Sequence, residues 1–338
     1  MKHIQTGCFA VALLAASSSA WAAKETVLYS FKGGSDGESP AAGLINVGGT
    51  LYGTTAEGGF GGRANYCTLG CGTVFSVTPA GAEPVYSFKG GSDGAYPDAG
   101  LINVGGTLYG TTSGGGAGGT VFSVTPGPER VVYSFQGGGD GTGPFAGLIN
   151  VGGTLYGTTN GGGATDSGTV FKVTPAGVET VVYAFKGGSD GAYPYAGLIK
   201  LGGTLYGTTQ TGGGNGYEGG VGCGIVFSIT PAGAETVVYS FKGGSDGAWP
   251  VAGLIRVGGT LYGTTWIGGN SANSSEGCGT VFKITTAGAE KVVYSFKGEL
   301  DGAAPEAGLI NVGGTLYGTT NRGGGGTVGY GTVFAVKP

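Results

Sequence analysis

Residues 99–135 read AGLINVGGTLYGTTSGGGAGGTVFSVTPGPERVVYSF. Four short runs in this stretch have strand character. Ala99–Val104 is the first, and it ends at Gly105-Gly106. Two glycines between apolar runs signal a hairpin, because glycine supplies the positive φ that a tight two-residue turn requires. Thr107–Thr112 is the second run, and Gly119–Thr125 follows as the third after a Gly-rich loop. Pro126-Gly127 opens a turn into the fourth, Arg130–Phe135. The third and fourth runs are apolar at nearly every position, with little alternation. A sheet covered on both faces reads this way, as does a blade wedged between two neighbours.

The same unit is written six times. Its Y-x-F landmark falls at Tyr29, Tyr86, Tyr133, Tyr183, Tyr239 and Tyr294, at intervals of 47 to 57 residues. A period near 50 with four strands per unit predicts a β-propeller. The two ends of the chain are offset from the unit. Glu25–Phe31 is a fourth-strand copy with no first three strands before it, and Gly331–Lys337 is a third-strand copy with no fourth after it. Paired together, they complete a sixth blade and remove two free sheet edges. The expectation is an all-β, six-bladed propeller of four-stranded blades, closed by pairing of the N- and C-terminal strands and spanning residues 23–338 as one domain.

Residues 1–22 read as a signal peptide. Lys2 and His3 precede an apolar stretch from Phe9 to Ala16, and Ala20-Trp21-Ala22 is an A-x-A cleavage site. The apolar stretch is too short to span a bilayer, and no second one of about 20 residues exists. A secreted, periplasmic or cell-surface protein is expected, monomeric by default and without membrane insertion. Cleavage removes the only histidine, His3. With it goes any Ser-His-Asp or Cys-His chemistry and any imidazole ligand for a metal. No metal and no cofactor is expected. Loss of Lys2 takes the 16 basic residues to 15, against 20 acidic ones. That balance, without a basic cluster, argues against nucleic acid and against an anionic membrane as partner. Glycine accounts for 82 of 338 residues, yet every unit also brings Tyr, Phe, Leu, Ile and Val to bury, which argues against disorder. Cys67 and Cys71 share one loop and are expected to pair. Cys71, Cys223 and Cys278 occupy equivalent positions in different units, which neighbouring blades should hold farther apart than the ~7 Å that a bridge tolerates.

The string GGSDGAYPDAGLINVGGTLYGTT at 90–112, followed by GTVF at 119–122, resembles the tandem GloVer repeat of the choice-of-anchor family of exported bacterial proteins. More distantly it is similar to the kelch repeat. The resemblance covers Ala23–Pro338. It implies a surface or secreted propeller and no established activity. Many members carry a C-terminal sorting or anchoring segment. Here Pro338 follows the last strand copy directly, so no anchor is expected.

All the length variation lies between T-T and G-T/I-V-F, where the units insert 16, 6, 8, 14, 13 and 10 residues. Stretching such a loop from 6 to 16 residues costs only about 0.9 kcal/mol in closure entropy. One face can therefore be individualised on a constant frame. Asp36, Asp93, Asp140, Asp190, Asp246 and Asp301 each precede a glycine. One Asp per blade is too dispersed for a calcium site, so these are expected to accept local backbone N–H groups in D-G turns. Glu25, Glu83, Glu129, Glu179, Glu235 and Glu290 precede the fourth strand and read as solvated charges on the opposite face.

Residues that repeat six times are scaffold, so a site is sought where the units differ. Ahead of the loop proline stand Ser39, Tyr96, Gly143, Tyr193, Trp249 and Ala304. Just after it stand Ala41, Asp98, Phe145, Tyr195, Val251 and Glu306, near the expected mouth of the central funnel. The long loops add Phe60, Arg63, Tyr66, Tyr217, Trp266 and Tyr330. The candidate ligand-binding residues are Tyr96, Tyr193, Trp249, Trp266, Phe145 and Tyr195. Their rings can stack on sugar faces or anchor a protein. The plainer alternative is that they pack between neighbouring loops. The expected partner is a polysaccharide or a surface protein, bound without catalysis. Two other readings stay open. One is a His-independent glycoside hydrolase or lyase using Asp, Glu or Tyr, with Glu38, Asp98 and Glu306 on the right face. The other is a structural surface component with no defined ligand. No catalytic residue is assigned.

Overall fold

The computed structural model describes residues 26–59, 67–79, 81–124, 129–214, 220–270, 276–325 and 329–338. Its sheets follow one another along the chain as six antiparallel blades. The fold is the all-β, six-bladed propeller that the repeat implies. Five blades show four strands in sequence order, from the axis outward, and the sixth shows three. In the second blade the strands are Ile102–Val104, Thr107–Thr112, Thr120–Val124 and Arg130–Ser134. The innermost pairs Ile102 with Tyr109, and the second pairs Leu108 with Val124.

Cohesion lies between the blades. A Cβ at Gly110 would stand 2.5 Å from Cζ of Phe122, so the glycine of L-Y-G-T-T makes room for the third-strand ring to lie across the sheet. That ring is fully buried and meets Phe88, which continues the outer strand of the preceding blade, edge to face at 4.9 Å. The pairs Phe135–Phe171, Phe185–Phe227, Phe241–Phe282 and Phe296–Phe334 repeat the contact around the ring. Burying each such ring is worth about 1.5–3 kcal/mol. A buried hydroxyl adds direction: Thr111 Oγ1 donates to the Ala146 carbonyl of the next blade at 3.0 Å.

The outer strand carries a bulge. Val121 pairs with Tyr133 but Phe122 with Val131, so Val132 is extra, and all five four-stranded blades share this slip. A bulge bends a strand and strengthens its right-handed twist. The outer strand of each blade then lies against its neighbour. A Cβ at Gly177, whose φ is +91°, would stand 2.5 Å from the carbonyl oxygen of Val132 in the preceding blade.

The closing strand pair expected between the chain ends is not formed. Residues 26–31 carry no strand, and among the described residues nothing pairs with the outer edge of Thr332–Val336. The side chains nevertheless dock on blade 1 as in the other units. Phe31 meets Phe75 at 5.0 Å, and the Tyr29 hydroxyl donates to Asp36. The physical reason is connectivity. Every other outer strand is tied to its third strand by a short turn and zips up as a hairpin. The segment 26–31 has no such tether to the last strand, so its ladder must close a loop around the whole ring. The junction is correspondingly open: Leu44 is 52% exposed against 6% for Leu101, and Val333 81% against 0% for Val121.

Cys67 and Cys71 form a disulfide with Cα atoms 5.0 Å apart, while Cys223 and Cys278 are buried thiols. Among the described residues no helix is long and apolar enough to cross a membrane. The expected leader, Met1–Ala22, lies outside the described residues, as do Glu25, Phe60, Arg63, Tyr66 and Tyr217.

Candidate functional site at the funnel mouth

Each blade delivers one side chain to the axis through the same local device. The Tyr86 hydroxyl and the Lys89 backbone N–H both donate to the Asp93 carboxylate at 2.7 Å, which locks the S-D-G loop into a 3-10 turn. The acids before glycine thus serve the turn. Three residues on, Tyr96 adopts φ +59°. Its carbonyl accepts from the backbone N–H groups of Asp98 and Ser113, both at 3.0 Å, and its own N–H donates to the Cys71 carbonyl at 2.9 Å. Ser39, Tyr193, Trp249 and Ala304 share this left-handed conformation, and Gly143 takes it without strain. A bulky residue there costs of order 1–3 kcal/mol, so the aromatic rings at three of the six positions are held against a local penalty.

Beyond the proline, the six non-repeating residues converge. Ala41, Asp98, Phe145, Tyr195, Val251 and Glu306, one from each blade, line a single cavity of about 640 Å³. Gln210 and Trp266, each the first residue after T-T in its blade, complete the wall. Two aromatic pairs shape it. Phe145 and Tyr195 are stacked with centroids 5.1 Å apart, and Trp249 backs Trp266 at 5.6 Å. The Arg322 guanidinium lies 5.9 Å from the Trp266 ring. Both indole nitrogens, Nε1 of Trp249 and of Trp266, are buried without a hydrogen-bond partner.

The carboxylates are held rather than free. Asp98 accepts from the Ser113 hydroxyl at 2.6 Å, and Glu306 accepts from Nδ2 of Asn321 at 3.0 Å. Burial pushes the Asp98 carboxyl above its ordinary range, against the Ser113 hydrogen bond, with Glu57 adding to the rise. Burial also raises the Tyr195 phenol, and the charges of Asp98 and Glu306 reinforce it. Both acids therefore lie within electrostatic reach of one ring on the cavity wall.

Three of the six candidate residues, Phe145, Tyr195 and Trp266, stand on this wall. Trp249 stands behind Trp266 and packs on the core between the fourth and fifth blades. Tyr96 packs on the core between the first and second, and Tyr193 is 41% exposed away from the lining. Glu38 is not on the wall; its backbone bridges that of Glu57. Gln210 went unnoticed in the sequence. Its signal is that the residue after the invariant T-T varies between units, with five residue types in six copies: Ala56, Ser113, Asn160, Gln210, Trp266 and Asn321.

One expectation is corrected. Four of the glutamates at the start of the outer strands are half-buried rather than solvated, whereas Glu83 is exposed as expected. Glu129, Glu179, Glu235 and Glu290 each keep a buried Oε1 without a hydrogen-bond partner, and each feels the turn aspartate that leaves the preceding blade. The start of each of these four outer strands lies beside the turn that leaves the preceding blade.

A family model described as the Gloeobacter/Verrucomicrobia repeat matches residues 18–221 and 217–338. No curated protein shows significant similarity to the sequence. Among solved structures, TolB from Acinetobacter baumannii aligns at 11% identity and a TM-score of 0.37, covering 79% of this chain and 63% of its own. The chain thus spans less than two thirds of that protein's length. A subtype N11 neuraminidase-like protein of A/flat-faced bat/Peru/033/2010 (H18N11) aligns at 10% identity and a TM-score of 0.45, covering 85% of this chain and 82% of that one. A puromycin-hydrolyzing peptidase from Mycobacterium tuberculosis aligns at 11% identity and 0.49, covering 83% and 42%. None of these likenesses bears on activity.

Proposed function

The chain belongs to the Gloeobacter/Verrucomicrobia repeat family, and on that scaffold we propose that it is an exported, non-enzymatic binding propeller that recognises a polysaccharide at its funnel mouth. One observation carries the reading: the residue just after the loop proline differs in all six blades, and all six copies meet in one cavity. Its volume of about 640 Å³ suits a small ligand or the end of a larger one. The aromatic faces of Phe145, Tyr195 and Trp266 offer stacking for sugar rings. Asp98, Glu306 and Gln210 offer oxygen atoms that accept hydrogen bonds from hydroxyl groups, and the Gln210 amide also donates. Export rests on the leader-like residues 1–22.

The test is a glycan array on purified protein, followed by Trp fluorescence titration of the best ligand. Trp266→Ala and Tyr195→Ala should each weaken binding at least tenfold, which is the ~1.4 kcal/mol expected of one stacking ring. Wild-type affinity in both variants would place the ligand elsewhere. Absence of any glycan signal would turn the reading toward a protein partner.

A second reading has one observation in its favour. Asp98, raised by burial, shares the cavity with a second carboxylate, Glu306. Such a pair is the equipment of glycoside hydrolysis. Reducing-sugar release that Asp98→Asn and Glu306→Gln both abolish would establish it. Intact substrate after prolonged incubation with wild type would dismiss it.

A further inference from the structure

Around the rim of the propeller, four blade junctions repeat one arrangement that the funnel does not use. The aspartate of a D-G turn accepts from a tyrosine of its own blade: Asp93 from Tyr86, Asp140 from Tyr133, Asp190 from Tyr183 and Asp246 from Tyr239, at 2.6 to 2.8 Å. The glutamate that opens the next blade's outer strand comes to the same place. Glu129 meets Asp93, Tyr86 and Lys89. Glu235 meets Asp190, Tyr183 and Lys186, and Glu290 meets Asp246, Tyr239 and Lys242. Glu179 meets Asp140 and Tyr133 alone, because Gln136 stands where the other junctions have lysine. The Arg130 guanidinium donates to the Pro175 carbonyl at 3.4 Å. The three lysines lie over the tyrosine rings at 5.8 to 5.9 Å rather than on the glutamates.

The hydrogen bonding is incomplete as long as every acid is ionised. Oε1 of each of the four glutamates is buried and unpartnered, and so is Oδ1 of Asp140. A carboxylate only accepts, so two facing carboxylates cannot satisfy one another. One proton changes that: a neutral carboxyl donates and leaves a single charge in place of two.

We propose that Glu129, Glu179, Glu235 and Glu290 are protonation latches between neighbouring blades, closed when each carries a proton shared with its aspartate–tyrosine pair and loosened when the proton leaves. Burial first, and the neighbouring aspartate second, hold all four at about 7 rather than 4.5. A folded value raised above the unfolded one means that the folded chain binds more protons between those limits. The added stability is fully present below about 4.5 and is lost as pH rises through about 7. The ring is therefore tightest in acidic surroundings and slackens as pH climbs toward neutrality.

The test compares thermal unfolding from pH 5 to pH 9 in wild type and in the E129Q/E179Q/E235Q/E290Q variant. Glutamine keeps a donor and carries no charge. Wild type should lose several degrees of Tm between pH 5 and about pH 7.5 and then level off, while the variant stays level across that window. A variant that falls in parallel with wild type, or a wild type without a fall, overturns the proposal. A measurement on unaltered protein guards against a variant that fails to fold. Carboxyl-carbon NMR of glutamate-labelled wild type should show four side chains titrating near pH 7, and glutamates that all titrate below pH 5.5 would overturn the proposal as well.

Discussion

Replacing Phe227 by alanine tests where the cohesion of the ring resides. The ring of Phe227 has no exposed surface and meets Phe185 of the preceding blade at 5.0 Å. Beneath it lies Gly207, at which a Cβ would stand 2.6 Å from Phe227 Cζ. The bed of the ring is therefore backbone in a hydrogen-bonded sheet, which cannot collapse into the space left behind. A Phe→Ala change in such a site costs about 3–5 kcal/mol. At ~2 °C per kcal/mol for a chain of this length, Tm should fall by roughly 6–10 °C. Phe334 is the internal control. It makes the same edge-to-face contact, with Phe296 at 4.9 Å, but stands in the blade at the open junction and is only partly buried. Phe334→Ala should cost about half as much, because part of the ring already faces water. Urea unfolding followed by far-UV circular dichroism reads both. Equal losses in the two variants, or less than about 1 kcal/mol at Phe227, would refute the claim that inter-blade phenylalanine pairs carry the stability.

Two further outcomes follow from the site and its loops. Asp98 is raised by burial, so its ionised form weakens the fold once pH passes its folded value; Asp98→Asn should melt roughly 1–2 °C above wild type at pH 8 and level with it at pH 3, and a difference that persists at pH 3 would point to packing instead of charge. The Cys67–Cys71 bridge closes a short loop, worth about 2 kcal/mol in the chain-entropy account; Cys67→Ser/Cys71→Ser should lower Tm by roughly 4 °C and abolish any response to reductant, whereas a wild-type melt insensitive to reductant would show that the loop is held by its own packing.

Much of this architecture can be read from local chemistry. Strand runs, G-G hairpins and D-G turns are short-range features, and a repeated unit says that the same short-range answer is given six times. That is why the sequence by itself determined six blades of an all-β propeller, and why Ala41, Asp98, Phe145, Tyr195, Val251 and Glu306 could be placed together as one ring of differing residues before any coordinate was known. The same reasoning treated Tyr96 and Tyr193 as equivalent to Trp249, since all three precede the loop proline. Only the tertiary structure showed that none of the three lines the funnel: Tyr96 and Trp249 pack on cores between blades, while Tyr193 is partly in solvent.

Three other things were decided only by tertiary structure, each through contacts distant in sequence. Packing of one blade on the next carries Glu129, Glu179, Glu235 and Glu290 to the turn aspartates of the preceding blade, where a linear reading placed them on the opposite face in water. The segment 26–31 has the fourth-strand sequence and makes fourth-strand side-chain contacts, yet lacks the ladder, because no turn tethers it to the strand it would join. Finally, Gln210 joins Trp266 on the funnel wall while Ala56, Ser113, Asn160 and Asn321 at the same position are not in the lining, a difference that depends on how the neighbouring blades pack.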